Sequence, residues 1–301
     1  MKRTTCRSLR HVVAVLLFFA AGAADAQSCV PPGTWLQPSD RKSLAGEVVY
    51  EKAASAEVVL LGESHAQAPH HRWQLETLQA LHAMRPAMVI GFEMFPRRVQ
   101  PVLDRWVTGE LTIEEFLRQS DWKNVWRFDF ELYRPLFEFA RTQGIPMRAL
   151  NVEQALVRDT GANGFDAVAR ERREGVSPPA PPADRYVERL GEAYAQHRPG
   201  NGAPALDDPK FQRFIGAQLL WDRAMAQALA DALRDRPDAL VVGIMGRGHV
   251  EYGQGVAHQL RDLGVSRIAA LLPWDADESC EALSADIADA VYGVEASPAS
   301  E

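Results

Sequence analysis

The sequence predicts an α/β fold: a doubly wound, mostly parallel sheet with helices on both faces and a small helical insertion subdomain. Residues 58–61 and 239–245 form apolar runs that glycine ends or interrupts, and helical patterns separate such runs along the chain. Uninterrupted apolar runs are typical of strands buried on both faces of a parallel sheet. Strands that alternate with helices are typical of βαβ units, which build such sheets.

The bulk composition fits one globular α/β domain with an insertion. The chain has 301 residues, of which 47% are hydrophobic and 24% charged, and its formal net charge is −7. These are ordinary globular values, and an acidic chain without a basic stripe is a poor candidate for binding nucleic acid. The predicted division is a first α/β part at 27–152, a helical insertion with a proline-rich loop at 153–235, a second α/β part at 236–292 and a disordered tail at 293–301.

The N-terminus predicts a targeting segment. An apolar run at residues 12–21 follows four basic residues, and Ala24-Asp25-Ala26 forms an A-x-A cleavage site. Residues 1–26 are therefore a predicted signal peptide, and the run is too short for a stable membrane span. The expected location is the periplasm, in soluble form. The alternative is a lipoprotein acylated at Cys29, but the preceding residues lack the usual lipoprotein pattern, which argues against membrane anchoring.

Two cysteines remain after the predicted cleavage, Cys29 and Cys280, near the two ends of the mature chain. An even pair in an exported protein predicts a disulfide. Neither cysteine lies near the histidine motifs described below, so a catalytic thiol is not expected.

In the first half of the chain, the sequence predicts the following helices and strands in order. Residues 27–39 are expected to be irregular, and a short helix is expected within 40–54, before the strand at 58–61. A helix at 70–84, a strand at 87–95 and a helix at 97–107 follow, and Thr112 with Glu115 forms the capping box of the next helix. The last elements of this half are an aromatic-rich stretch at 121–130, a helix that begins near 136 and ends at Gly144, and a strand at 145–152.

The second half begins with the insertion. Ser177-Pro178-Pro179-Ala180-Pro181-Pro182 cannot form regular structure, so a mobile surface loop is expected there. Asp208 and Pro209 open a long helix that reaches about Arg234. A strand at 239–245, a helix at 258–263 and a last strand at 267–272 complete the predicted sheet.

Two Gly-x-x-His tetrapeptides follow apolar runs that are far apart in the chain. Gly62-Glu63-Ser64-His65 follows one run, and Gly246-Arg247-Gly248-His249 follows another; Glu93 comes just after a third. Ligands of open α/β sheets bind at the carboxyl ends of the strands. If the two strands are parallel neighbours, the two imidazoles converge on one crevice.

Glu63, His65, Glu93 and His249 are the candidate catalytic residues. Two imidazoles and two carboxylates suit a divalent transition metal, for which the same four residues are the candidate ligands. They also suit general acid–base chemistry without a metal. The alternative is that His65 and His249 only cap loops by hydrogen bonding, but two such motifs at strand ends favour a site.

Other polar and aromatic residues carry weaker signals. Tyr133 and the aromatic residues before it could bind a flat ligand, although aromatic residues near a cleft more often belong to the core. Asp222, in an otherwise apolar helix, is either a buried partner of an arginine or histidine or a residue of the site. His70 and His71 begin a helix, where solvent exposure is the default expectation and a neutral or ligand-binding role is the alternative.

Five motifs together resemble the ChaN family, haem-binding and iron-regulated lipoproteins of the superfamily that includes the Tiki metalloproteases and the erythromycin esterases. The resemblance covers roughly residues 57–273, and the ordered set is more specific than any motif alone. The motifs are LGESH at 61–65, GFEMF at 91–95, ELYRPL at 131–136, LWDRAMA at 220–226 and GRGH at 246–249.

The resemblance implies a haem-binding protein of the bacterial envelope that serves iron or haem uptake. It implies a homodimer that stacks two haems, with a tyrosine on the iron and a histidine assisting. Tyr133 matches as the iron ligand, since a phenolate is one of the known axial ligands of haem, and Asp222 is the second candidate cofactor-binding residue. The Tiki relatives imply instead a metal-dependent hydrolase, an esterase or protease, that uses His65, His249 and a glutamate. A third hypothesis is a fold that only binds a partner protein.

Overall fold

The structure, a computed structural model, describes residues 28–196 and 202–296. The predicted signal peptide and residues 297–301 of the predicted tail lie outside the described residues. No helix in the described ranges is both long enough and apolar enough to span a membrane.

Eight strands and ten α-helices make up the described chain. The strands are β1 (Trp35–Gln37), β2 (Lys42–Leu44), β3 (Val58–Glu63), β4 (Met88–Pro96), β5 (Met147–Asn151), β6 (Leu240–Gly246), β7 (Ile268–Asp275) and β8 (Ala290–Val294). The helices are α1 (Gly46–Ala54), α2 (Ala68–Met84), α3 (Gln100–Val107), α4 (Ile113–Ser120), α5 (Trp122–Val125), α6 (Phe130–Gln143), α7 (Gln154–Asn163), α8 (Asp184–Gln196), α9 (Pro209–Asp235) and α10 (Val256–Asp262).

The strands form one sheet in the order β2-β1-β8-β7-β3-β6-β4-β5. All neighbouring pairs from β8 to β5 are parallel, and β1 pairs antiparallel with both β2 and β8. The predicted α/β class with a mostly parallel sheet is therefore confirmed.

Alternate residues of the central strands pack into two separate hydrophobic cores, one on each face of the sheet. Val59 and Leu61 pack with α2, α3 and α6 on one face, whereas Val58 and Leu60 pack with α9 and α10 on the other. All four side chains are fully buried, and each such burial contributes about 1.5–3 kcal/mol. Helices on both faces explain why these strands are apolar throughout.

The register of β3 and β6 brings the two histidine motifs to one edge of the sheet. The strands are parallel neighbours, and Gly62 pairs with Met245 while Glu63 pairs with Gly246. Gly62 has to be a glycine because a Cβ there would lie 2.4 Å from Leu272 Cδ2 and 3.0 Å from the Cα of Arg247. The prediction that the two strands are neighbours is confirmed.

The structure corrects the sequence prediction near both ends of the described chain, whose strands β1 and β8 pair at one side of the sheet. β1 lies within the stretch predicted to be irregular, and Gly293 and Val294, predicted to begin a disordered tail, belong to β8. Trp35 pairs with Tyr292 across these strands, and Gly293 pairs with Trp274 of β7. Strands this short are stabilised by partners far away in the sequence, which a local pattern does not reveal.

The proline-rich loop is irregular, as predicted, but it is not a free surface loop. Ala180 is buried, and its backbone N–H donates to Gln259 Oε1 at 2.8 Å while Gln259 Nε2 donates back to its carbonyl at 3.0 Å. Ser177 donates to Gln227 Oε1 at 2.7 Å. These bonds hold the loop against α9 and α10.

The long helix α9 begins at Pro209 with Asp208 as its N-cap, as predicted. Its second half, which includes Met225 and Leu229, belongs to the core beneath the sheet. Its first half packs with α8 through Phe211 and Ile215. One helix thus contributes both to the predicted insertion and to the core of the sheet. The sequence did not predict this, because apolar periodicity shows that a helix has a buried face but not what that face packs against.

Cys29 and Cys280 form a disulfide, with their Cα atoms 5.4 Å apart. The predicted pairing is confirmed. The bridge joins the segment before β1 to the segment between β7 and β8.

Candidate functional site

A cavity of about 650 Å³ opens at the carboxyl ends of β3, β4 and β6. Its volume lies within the usual range of small-molecule and cofactor pockets. His65, Glu93 and His249 line this cavity, together with the aromatic residues Trp126 and Trp221. The cavity is therefore where the predicted site residues meet a space for a ligand.

His65 is held by a carboxylate and by aromatic rings. Its Nδ1 lies 2.5 Å from Glu63 Oε1, and its ring centroid lies 4.6 Å from that of Trp126 and 5.0 Å from that of Phe128. Burial lowers the pKa of His65, but the hydrogen bond and the negative charge of Glu63 outweigh burial, so the pKa is raised. Of the His65 side chain, 30% remains exposed.

His249 forms a second histidine–carboxylate pair with Asp222. Its Nδ1 lies 2.6 Å from Asp222 Oδ1, and Tyr186 donates a short hydrogen bond to the other oxygen of the same carboxylate. Burial disfavours the imidazolium, yet the charge and hydrogen bond of Asp222 raise the pKa of His249 to about 9. Asp222 is thus the buried partner of a histidine, the first of the alternatives that its sequence position left open.

Glu93 connects the two pairs. Its Oε2 accepts the backbone N–H of Gly246 at 2.7 Å, and its Oε1 lies 3.6 Å from His249 Nε2. Its charge favours the protonated forms of both His65 and His249. The predicted convergence of Glu63, His65, Glu93 and His249 is confirmed.

The four side chains do not form the predicted metal site. Within residues 28–196 and 202–296, no group of three or more His, Cys, Asp or Glu side chains has a metal-holding arrangement. Each imidazole directs Nδ1 to its own carboxylate, His65 to Glu63 and His249 to Asp222, while Glu93 accepts the backbone N–H of Gly246. The geometry supports pairwise proton chemistry rather than a shared ligand set.

Tyr133 does not lie on the cavity, contrary to its expected role as an iron ligand. It is fully buried, and its hydroxyl donates towards Glu63 Oε1 at 3.4 Å and the His65 carbonyl at 3.3 Å. Burial and the nearby charge of Glu63 raise the pKa of Tyr133 far above its usual value, which opposes a phenolate. Tyr133 supports the Glu63–His65 pair from behind, packed against His71 and Trp122.

His70 and His71 are buried, so the default expectation of solvent exposure is wrong. His70 Nδ1 accepts the backbone N–H of Ser64 at 3.0 Å, which leaves its Nε2–H to donate to Asp275 Oδ1 at 3.1 Å. His71 Nε2 lies 3.2 Å from the His65 carbonyl. Both imidazoles hold the turn that carries His65, and the only sequence signal was their position directly after that turn.

Arg247 is a structural residue that the sequence analysis did not single out. Its guanidinium bonds Glu251 at 2.6 Å and both oxygens of Glu278 at 3.0 Å. Glu278 lies two residues before Cys280, and Arg247 lies two residues before His249. The disulfide segment therefore holds the turn that carries the second histidine.

Comparisons with known proteins match one family model and several solved structures. The family model described as haem-binding uptake, Tiki superfamily, ChaN matches residues 49–260. The structure of ChaN of Campylobacter jejuni, described as cofacial haem binding, matches with a TM-score of 0.67 and 17% identity over 86% of this chain and 95% of that chain. An erythromycin esterase in its open conformation matches with a TM-score of 0.48 and 13% identity over 80% of this chain and 77% of that chain.

A plant protein is also similar in sequence. The chloroplastic Protein RETICULATA-RELATED 5 of Arabidopsis thaliana is 23% identical over an alignment of 217 residues that covers 68% of this chain and 29% of the plant protein. The chain thus spans less than a third of the length of that relative.

Proposed function

This chain belongs to the haem-binding uptake ChaN family of the Tiki superfamily, and from that premise we propose that it binds haem in the cavity at the carboxyl ends of β3, β4 and β6. The observation that carries the proposal is the lining of this cavity. It combines aromatic and apolar side chains with arginines and two histidines.

The apolar part of the cavity suits the flat macrocycle of haem. Trp126 and Trp221 provide aromatic surface, and Met94, Val125 and Val152 add apolar surface. Trp221 Nε1 is buried and has no hydrogen-bond partner in the described chain. Buried donors are normally satisfied, so this indole N–H is an unsatisfied donor within the cavity wall.

The charged part of the cavity suits the two propionates of haem. Arg98, Arg127 and Arg158 line the cavity. Arg98 is already paired with Glu153 at 2.6 Å and lies 3.7 Å from an Asp121 oxygen. Arg127 and Arg158 have no ion pair within residues 28–196 and 202–296, and guanidinium groups bind carboxylates well.

We further propose that the protein acts in the bacterial envelope in iron or haem uptake. The predicted signal peptide and the Cys29–Cys280 disulfide support export, since disulfides persist mainly in oxidising compartments. Bound haem would supply an iron centre whose axial ligand tunes its properties. The homodimer around stacked haems that the family resemblance implies is part of the same proposal.

Replacing Arg127 and Arg158 together by glutamate is expected to weaken haemin binding about 10- to 100-fold, since each reversal replaces an attraction to a propionate worth roughly 1 kcal/mol by repulsion. Titration of the Soret band measures the effect. Arg236→Glu is the matched control, because Arg236 is an exposed arginine at the other end of the sheet, before β6.

The outcomes of this titration are distinct. Equal affinities of the double variant and of the wild type would overturn the assigned role of the two arginines. A wild-type protein that leaves the haemin spectrum unchanged would overturn the haem proposal itself.

A second candidate function, supported by the two histidine–carboxylate pairs, is hydrolysis by acid–base chemistry. His249 is protonated at neutral pH because Asp222 raises its pKa to about 9, so it can stabilise developing negative charge. His65 Nε2 has no protein hydrogen-bond partner among the described residues and can exchange a proton with a substrate or water. The geometry of the pairs needs no metal ligand set.

Under this second function, ester hydrolysis is expected to persist in EDTA and to fall about 10²–10⁴-fold in His65→Gln, the usual contribution of a general acid or base. A panel of p-nitrophenyl esters measures it, with His258→Gln, at a half-buried histidine of α10 outside the cavity, as the control. Hydrolysis that EDTA abolishes, or that His65→Gln leaves intact, would contradict it.

A further inference from the structure

His65 is the cavity residue that is best placed to coordinate iron. We infer that this chain binds haem iron through His65 Nε2 and not through a tyrosine, an inference that rests on the proposed haem function. Three features support it: the side chains that line the cavity, the hydrogen bonds of their possible iron-binding atoms, and the contacts that orient His65.

No tyrosine lines the cavity. The chain has six tyrosines, all of which lie within the described residues, and the cavity lining contains none of them. Tyr133 is buried behind His65, and the Tyr186 hydroxyl is engaged by Asp222. The six are Tyr50, Tyr133, Tyr186, Tyr194, Tyr252 and Tyr292.

Two histidines line the cavity, and they differ in availability. His249 has 13% of its side chain exposed, and its Nε2 lies 3.6 Å from Glu93 Oε1. His65 has 30% exposed, and its Nε2 has no hydrogen-bond partner in the described chain. Of the two imidazoles, that of His65 therefore offers the nitrogen that is accessible and uncommitted.

The surroundings of His65 match those of histidines that bind metals. Ligating histidines usually donate their other ring N–H to a carboxylate or carbonyl, which fixes the tautomer and makes the ligating nitrogen more basic. Here Nδ1–H donates to Glu63 Oε1 at 2.5 Å. This tautomer directs the lone pair of Nε2 away from Glu63.

Residues behind the Glu63–His65 pair also hold His65 in place. Tyr133 donates towards both Glu63 and the His65 carbonyl, and His71 lies within hydrogen-bond distance of the same carbonyl. Trp126 and Phe128 pack on the ring. Together these contacts fix both the position of the imidazole and its rotation, as an iron ligand requires.

The test is spectroscopy of the full mature chain titrated with haemin. Resonance Raman spectra of the reduced wild-type complex are expected to show an iron–histidine stretch that shifts on ¹⁵N-histidine labelling. His65→Ala is expected to lose this band and to bind haemin at least ~10-fold more weakly, and added imidazole is expected to restore the band. His258→Ala, at a half-buried histidine outside the cavity that bonds the Pro181 carbonyl, is the matched control.

Two further variants separate the ligand from its supports. Tyr133→Phe is expected to keep the iron–histidine band. Glu63→Gln is expected to keep the iron–histidine band at lower frequency and to raise the reduction potential of the haem iron. The neutral amide lacks the negative charge that makes the His65 imidazole electron-rich.

The outcomes distinguish this inference from the proposed function. Haemin bound by the wild type without a ¹⁵N-sensitive band, or a band retained in His65→Ala, would overturn His65 as the ligand while haem binding stands. A ligand signature lost in Tyr133→Phe alone would assign the iron to the tyrosine. Absence of haemin binding by the wild type would overturn the proposed function and this inference with it.

Discussion

Asp222→Ala is expected to lower the free energy of unfolding by about 3–5 kcal/mol, the usual cost of removing one partner of a buried ion pair. Asp222 is fully buried and bonds both the His249 imidazole and the Tyr186 hydroxyl. Its removal leaves an imidazolium without its counter-ion and a buried hydroxyl without an acceptor. Urea denaturation followed by circular dichroism measures the change.

The matched control is Asp235→Ala, at the C-terminal end of the same helix. Asp235 bonds Arg148 at 2.5 Å, but its side chain is 62% exposed, so the expected loss is below about 1 kcal/mol. Equal losses in the two variants would refute the claim that the Asp222–His249 pair is buried and charged.

The same pair is expected to make stability depend on pH. The pKa of His249 rises from 6.5 in the unfolded chain to about 9 in the fold. Its contribution is therefore complete below pH 6.5 and is lost as the pH rises through about 9, a loss on the order of 3 kcal/mol. Asp222→Asn keeps an acceptor but removes the charge, so the difference in stability between wild type and variant should shrink over this range. Parallel stability curves would contradict this account.

Loss of the Cys29–Cys280 disulfide is expected to cost about 2–4 kcal/mol of stability. The bridge joins residues 251 positions apart, and closing so long a loop in the unfolded chain carries a large entropic penalty in the chain-entropy account. Thermal unfolding with and without reductant measures the effect.

The double variant Cys29→Ser, Cys280→Ser supplies the control for this prediction. It should unfold at the same temperature as the reduced wild type and should not respond to reductant. Because Glu278 lies beside Cys280 and holds Arg247, backbone amides near His249 should also exchange faster in the variant. A reduced wild type with two titratable thiols and an unchanged melting temperature would contradict the prediction.

Local patterns determined the central elements of the fold. The apolar run at 58–61, the capping box of Thr112 and Glu115 and the N-cap Asp208 all appear in the structure where the sequence placed them. Each is a pattern of residues close together in the chain, which is why it could be read without a structure. The convergence of His65 and His249 followed from one general rule, that parallel strands present their carboxyl ends at one edge.

The partners of the site residues could not be predicted in the same way. Asp222 and His249 are 27 positions apart, and His70 and Asp275 are 205 apart. Which carboxylate an imidazole meets depends on helix placement over the sheet, and no local periodicity encodes that placement. Tyr133 was predicted as an iron ligand from a motif match. Such a match shows that a tyrosine stands at this position, but only the packing shows that its hydroxyl faces Glu63 and not the cavity.

The sequence by itself determined which strands are buried and which histidines stand at their ends. Burial on both faces produces a continuous apolar run, and the end of such a strand is marked by a glycine and polar residues, so both signals lie within a few neighbouring residues. The tertiary structure decided which of those side chains reach the cavity. Access to a cavity depends on the packing of segments far apart in the chain. That packing leaves His65 open to a ligand, while Tyr133 is buried behind His65 and Asp222 is buried against His249.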